Sequence, residues 1–134
     1  MLTAARIWHA CHLARLTLYA WLVLAAVDIA QRAGFAHVHR QIRRCRVNPA
    51  GLLASPEDVV WSVDEACVWY LRRATCLQRS VVAAWLLRRH GVAADVVIGY
   101  RPAPFESHAW VEVDGVIVND RPQYQRAFTV LDRM

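Results

Sequence analysis

Three residues of this chain have the types and surroundings that covalent catalysis needs: Cys76, His108 and Asp120. A thiolate attacks a carbonyl, an imidazole exchanges a proton with it and with the leaving group, and a carboxylate fixes the imidazole's tautomer. Cys76 falls where a helix is predicted to begin, and free amide N–H groups at a helix N-terminus favour thiolate over thiol. Arg72, Arg73 and Arg79 add positive charge around it. All 16 Lys+Arg residues are arginine, so a Schiff-base lysine, a pyridoxal-phosphate lysine and a P-loop lysine are excluded. The plain alternative for a cysteine is a packed thiol, and Cys67, at helical spacing with Val59, Val63, Ala66, Tyr70 and Ala74, reads that way. For Cys76 the helix start and the matching His and Asp contexts turn the reading toward a nucleophile.

Positioning these residues falls to helices first and strands later, an α+β order. Ile7 to Ala33 reads as one long helix or two, ended by Gly34, and Phe35 to Arg46 as an amphipathic helix with Val38 and Ile42 on one side and Arg40, Arg43 and Arg44 on the other. Asn48-Pro49-Ala50-Gly51 breaks the pattern and is the best linker, dividing a helical, arginine-rich segment (1–54), expected to dock a partner or a membrane surface, from a catalytic core (55–134). Ser55-Pro56-Glu57-Asp58 is a helix start, with serine as N-cap and two acids facing the positive end of the dipole. The helix opened by Thr75-Cys76 runs to His90, where Arg88 and Arg89 complement its negative end and Gly91 stops it. Strands follow at Val92–Tyr100, Ser107–Val113 and Val116–Asn119, with a loop at Arg101-Pro102-Ala103-Pro104 and a hairpin at Asp114-Gly115.

The hairpin has two registers with different consequences. A two-residue turn sets Val113 opposite Val116 and puts His108 and Asp120 on opposite faces of the ribbon. A three-residue loop with Gly115 as a bulge sets Glu112 opposite Val116 and brings His108 across from Asp120, with Cβ atoms about 5 Å apart. Trp110, on the face of His108, is a candidate for shielding the site or lining a substrate groove, and Arg79 is a second groove candidate. Glu112 on that face reads as a solvated strand residue.

Charge and composition bound the partners. Residues 1–56 carry seven arginines against the single acid Asp28, net +6, and residues 57–134 carry nine against ten acids, net −1. The apolar run Leu16–Val27 lies in the basic half, but its 12 residues fall short of the roughly 20 that span a bilayer. A helix buried against the domain or a partner is favoured over one lying in a membrane interface, and a signal peptide fits poorly because a helical pattern continues through Arg32. Cys11, Cys45, Cys67 and Cys76 match no disulfide framework or CxxC pair and read as reduced thiols. His9, His12, His37 and His39 lack metal-ligand spacing, so neither metal nor cofactor is expected.

The stretches Cys76-Leu77-Gln78-Arg79-Ser80, Gly91, Gly99, Ser107-His108-Ala109-Trp110-Val111-Glu112, Asp114-Gly115 and Asn119-Asp120 together resemble the stand-alone leader peptidase of lasso-peptide biosynthesis. That family is the peptidase half of the maturation B protein and is transglutaminase-like. The likeness covers about residues 55–134 closely, and the helical N-terminal segment is similar too; Ser107 stands where the family usually has alanine. The resemblance implies a papain-like core, with the cysteine at a helix N-terminus packed on a small antiparallel sheet. It also implies attack by Cys76 on the bond joining leader to core of a ribosomally made precursor, protonation of the leaving amine by His108, and orientation of His108 by Asp120. The Cys76 backbone N–H is a candidate oxyanion donor. The expected partners are the precursor peptide, a separate leader-recognition protein acting in trans, since 134 residues leave no room for that domain, and an asparagine-synthetase-like ATP-dependent cyclase. The expected location is cytoplasmic, with a peripheral position at the inner membrane face as an extension of that reading. Two other classes stay open. A transglutaminase-like acyl transferase would use the same triad with an amine in place of water. A non-enzymatic basic module would bind nucleic acid through residues 35–46 and would survive loss of Cys76.

Overall fold

The computed structural model describes residues 3–51 and 53–134. Helices α1 (Ala4–Gln31), α2 (Phe35–Arg44), α3 (Pro56–Val68) and α4 (Cys76–Arg89) precede the strands β1 (Ala94–Pro102), β2 (Phe105–Val113) and β3 (Val116–Ile117). A short α5 (Tyr124–Ala127) and β4 (Thr129–Arg133) close the chain. The sheet is antiparallel throughout, in the order β3-β2-β1-β4.

The N-terminal residues form one helix, because nothing from Ala4 to Gln31 breaks it and the first glycine, Gly34, turns the chain at φ +102°. By length and composition α1 is long and apolar enough to cross a membrane, with mean hydropathy 1.7 over an 18-residue window, so the 12-residue count undersold it. Its stripe Leu16, Ala20 and Leu24, four residues apart, is buried among α3 and α4. Val38 and Ile42 of α2 join the same cluster, together with Val59, Val63, Val82, Leu86, Val96 and Val111. The expected boundary near residue 54 therefore does not divide the core: one hydrophobic cluster runs through both sides of it.

The expected linker is tied down as well. Asn48 N donates to Arg88 O at 2.8 Å, Asn48 Nδ2 to Arg89 O at 3.1 Å, and Leu53 N to His90 O at 3.1 Å. These donors satisfy the last carbonyls of α4, in whose last turn Arg88 and Arg89 stand as expected. Arg88 turns inward and is 7% exposed. Its guanidinium donates to Ala94 O (2.7 Å), Ile42 O (2.5 Å), Cys45 O (3.2 Å) and Met134 O (2.7 Å), joining the end of α2 to the start of β1 and to the residue that follows β4.

Helix α3 starts as read, with Ser55 Oγ accepting the Asp58 N–H at 3.1 Å, and stops at Val68, short of the apolar stripe's continuation to Ala74. The β1–β2 connection is tighter than the expected four-residue loop: Pro102 still pairs with Phe105. Strand β4, which the sequence reading did not mark, pairs with β1 with a register shift between Ile98 and Gly99. Asp132 on β4 reaches α2, with Oδ2 2.8 Å from His39 Nε2 and Oδ1 3.3 Å from Arg43 Nη2.

Candidate active site

The β2–β3 hairpin takes the two-residue turn. Val113 pairs with Val116 and Glu112 with Ile117, and Asp114 (φ +51°) and Gly115 (φ +75°) both occupy the left-handed region that such a turn demands. The expectation that this register separates His108 from Asp120 fails: His108 Nε2 lies 2.8 Å from Asp120 Oδ2, both side chains largely buried. The reason is the length of β3. Val118 N still donates to Val111 O at 3.0 Å, but the return bond is made by a side chain, with Val111 N donating to Asn119 Oδ1 at 2.7 Å. The backbone leaves the ladder there, so the strict alternation of faces no longer binds residue 120.

Asn119 is the pivot of that departure, and the sequence reading gave it no role. It is buried; its Nδ2 donates to Ser80 Oγ at 3.2 Å, and its carbonyl accepts from Arg79 Nη2. Residues 79 and 80 stand three and four positions after Cys76, hence on the same helix face one turn on. The side of α4 that carries Cys76 is thus the side that grips the segment presenting Asp120. Arg79 Nε also lies 2.8 Å from Asp64 Oδ1, an ion pair without hydrogen-bond alignment. With its guanidinium committed to Asn119 and Asp64, Arg79 staples α3, α4 and the Asp120 segment together. Burial pushes the Asp64 carboxyl up, Arg79 pulls it back, and Asp120 nearby adds to the rise. Burial, then Asp64, raises the Cys67 thiol, whose neighbours are the apolar core.

Cys76 is the first residue of α4 and is half-buried. A capping box brackets it: Thr75 Oγ1 accepts the Gln78 N–H at 3.2 Å, and Gln78 Oε1 accepts the Thr75 N–H at 2.9 Å. The spacing Thr75-x-x-Gln78 was a readable signal for it. The Arg79 N–H bonds to Thr75 O at 3.0 Å, which leaves the N–H groups of Cys76 and Leu77 uncommitted among the described residues. Among the described residues no hydrogen bond joins Cys76 Sγ to His108 or Asp120. Arg72, counted as free charge near Cys76, lies 3.6 Å from Asp28.

His108 sits against aromatic rings. Tyr124, Phe128 and Trp110 lie 4.6, 5.8 and 6.2 Å from it, centroid to centroid. Tyr124 and Phe128, from the unmarked end of the chain, were missed. Trp110 is 0% exposed, so it underlies His108 and does not line a groove. Gly99, opposite His108 on β1, makes room for it: a Cβ there would lie 2.7 Å from Trp110 Cη2 and 2.9 Å from Phe128 Cβ.

Glu112 is 4% exposed, not solvated. Its carboxylate accepts from Trp110 Nε1 (2.9 Å), Gln125 Nε2 (3.2 Å) and Arg133 Nη1 (2.7 Å). Burial pushes its carboxyl up, but the bonds from Arg133, Trp110 and Gln125 together outweigh it and hold the group below its ordinary value. All four cysteines are free, and among the described residues no group of three or more His, Cys, Asp or Glu stands together as metal ligands would.

Comparison with known proteins fits this arrangement. The family model described as "Transglutaminase-like superfamily" matches residues 17–133. The chain is 37% identical over 59 residues to the microcin J25-processing protein McjB of Escherichia coli, a match covering 44% of this chain and 28% of that protein. The chain therefore matches little more than a quarter of that relative's length. No solved structure matches.

Proposed function

We propose that this chain, which belongs to the transglutaminase-like superfamily, is a cysteine peptidase that removes the leader from a ribosomally made lasso-peptide precursor. The observation that carries the reading is the 2.8 Å His108–Asp120 bond beside the gripped, N-terminal face of α4. Asp120 engages Nε2, which leaves Nδ1 as the nitrogen for proton exchange with a thiol and a leaving amine. Cys76 Sγ attacks the carbonyl carbon at the leader–core junction, and the oxyanion is held by the free N–H groups at the α4 start. His108 protonates the departing core amine, and a thioester of the leader remains. Water, deprotonated by His108, then adds to the thioester; the leader leaves as a carboxylic acid and the thiol is regenerated.

The likeness to McjB supports peptide processing as the setting. A separate leader-recognition protein and an ATP-dependent cyclase belong to the same reading. The apolar outer side of α1, with Ile7, Trp8, Leu18, Leu22 and Ile29 exposed, is where the recognition protein docks in this scheme, and the reaction takes place in the cytoplasm.

The test mixes the purified chain with a candidate precursor and its recognition protein and reads masses. Cleavage at one bond, with water added to the leader fragment, is expected; an amine adduct in its place would point to acyl transfer. Cys76→Ala should lower the rate at least about a thousandfold while partner binding persists. Intact precursor after incubation with wild type and both components would overturn the reading.

A further inference from the structure

Asp28 is the single acid among the first 56 residues, and from α1 it turns inward onto the start of α4. Its Oδ1 accepts from Gln78 Nε2 at 3.1 Å, and its Oδ2 accepts from the Tyr70 hydroxyl at 3.0 Å. An ionised carboxylate only accepts, so the end of the Gln78 amide that meets it has to be the NH2. The amide oxygen is thereby sent the other way, to the Thr75 N–H at 2.9 Å. The capping box around Cys76 thus has a third member, fifty residues away in sequence. Gln78 is buried, so a turned or unpaired amide would leave a polar group without water to satisfy it.

We propose that Asp28 is a positioning residue for Cys76. By locking the Gln78 amide in one orientation it holds the first turn of α4, and with it Sγ and the Cys76 and Leu77 N–H groups, in the attacking geometry. The inference rests on the reading of Cys76 as nucleophile and extends it: the helix expected to be a docking extension is wired into the nucleophile's cap. Residues 72 and 70 share the same carboxylate, so the α3–α4 loop is held with it.

Orientation, as distinct from bulk stability, is tested by reversing the donor and acceptor. Gln78→Glu keeps an acceptor for the Thr75 N–H but sets carboxylate against carboxylate; Asp28→Asn/Gln78→Glu puts an amide donor back across from it. Site-resolved iodoacetamide labelling of the full chain, read by peptide mass spectrometry at one neutral pH, reports the rate at Cys76, with the exposed Cys11 as internal reference. Cys76 should react about tenfold more slowly in Asp28→Ala and Gln78→Glu, with Cys11 unchanged. The double variant should return to within about threefold of wild type. Should Asp28→Ala not fold, the Gln78→Glu single and double variants carry the comparison. A Cys76 rate in Gln78→Glu equal to wild type, or a double variant no faster than the single, would overturn the proposal. Precursor cleavage by wild type, measured separately, reports on the peptidase reading, and the labelling pattern reports on Asp28.

Discussion

At the scale of single residues, polar side chains set the site by replacing or fixing backbone bonds. Asn119 takes the place of a strand carbonyl at Val111 N and so lets the chain turn Asp120 toward His108. Glu112 ties Trp110, which underlies His108, to Gln125 and to Arg133 on β4. Its carboxyl is held below the ordinary value of 4.5, and the sign of the consequence is definite. The charged form is favoured by folding, so its stabilisation is fully present above 4.5 and is lost as pH falls through the lower folded-state value. Melting temperature should therefore decline below that pH, and Glu112→Gln should flatten this part of the decline. The same substitution should cost about 1–3 kcal/mol at neutral pH, by turning an amide donor on Arg133. An unchanged acid profile in Glu112→Gln, followed by circular dichroism, would contradict the assignment. Cys76, His108 and Asp120 stand out in the sequence as candidates because their chemistry and local context mark them, and of these the structure joins His108 to Asp120. Asn119 and Glu112 were not, because each role depends on a partner that only the folded sheet supplies.

At the scale of elements, helices were legible and the end of the sheet was not. Capping residues, acids and glycines punctuate α3 and α4 with physical signals that act locally. Strand β4 has no such signal: four of its five residues are exposed, so no inward–outward alternation betrays it. It matters nonetheless, since the α5–β4 segment brings Tyr124 and Phe128 to His108. Gly99 is where these elements meet, at the register shift between β1 and β4 and beneath the Trp110 indole. A methyl at that position has no room, with ring carbon at 2.7 Å and Phe128 Cβ at 2.9 Å. Gly99→Ala is expected to cost about 1–3 kcal/mol through overpacking, and to lower turnover beyond what the folded fraction explains, because Trp110 and Phe128 both abut His108. Denaturant melts and active-site-normalised rates check the two halves. A variant that melts like wild type would show that the sheet yields there.

At the scale of the molecule, the charge asymmetry invites a two-part reading that the packing refuses. The helical half is basic, the other half near neutral, yet they share one core and one buried guanidinium. Arg88 satisfies carbonyls of α2, the α2–α3 loop, β1 and Met134 at once. Asp95, 3.8 Å away, is exposed, so the buried oxygens within hydrogen-bond reach do most of the solvation. Replacing it by an apolar side chain removes donors from several buried acceptors together. Arg88→Met should therefore cost about 3–5 kcal/mol, a large part of the roughly 5–15 kcal/mol that holds a domain folded. Arg88→Lys should recover little of it, since an ammonium cannot present the same planar fork. The neighbouring Arg89 lies over Trp85 at 5.4 Å, a cation–π contact of about 0.5–1 kcal/mol, and Arg89→Ala serves as the control. Because the core is shared, tryptophan fluorescence, which samples α1, α3, α4 and β2, and far-ultraviolet dichroism should report one coincident transition in wild type. Two separated transitions, or an Arg88→Met protein as stable as Arg89→Ala, would restore the division into a docking segment and an independent catalytic core.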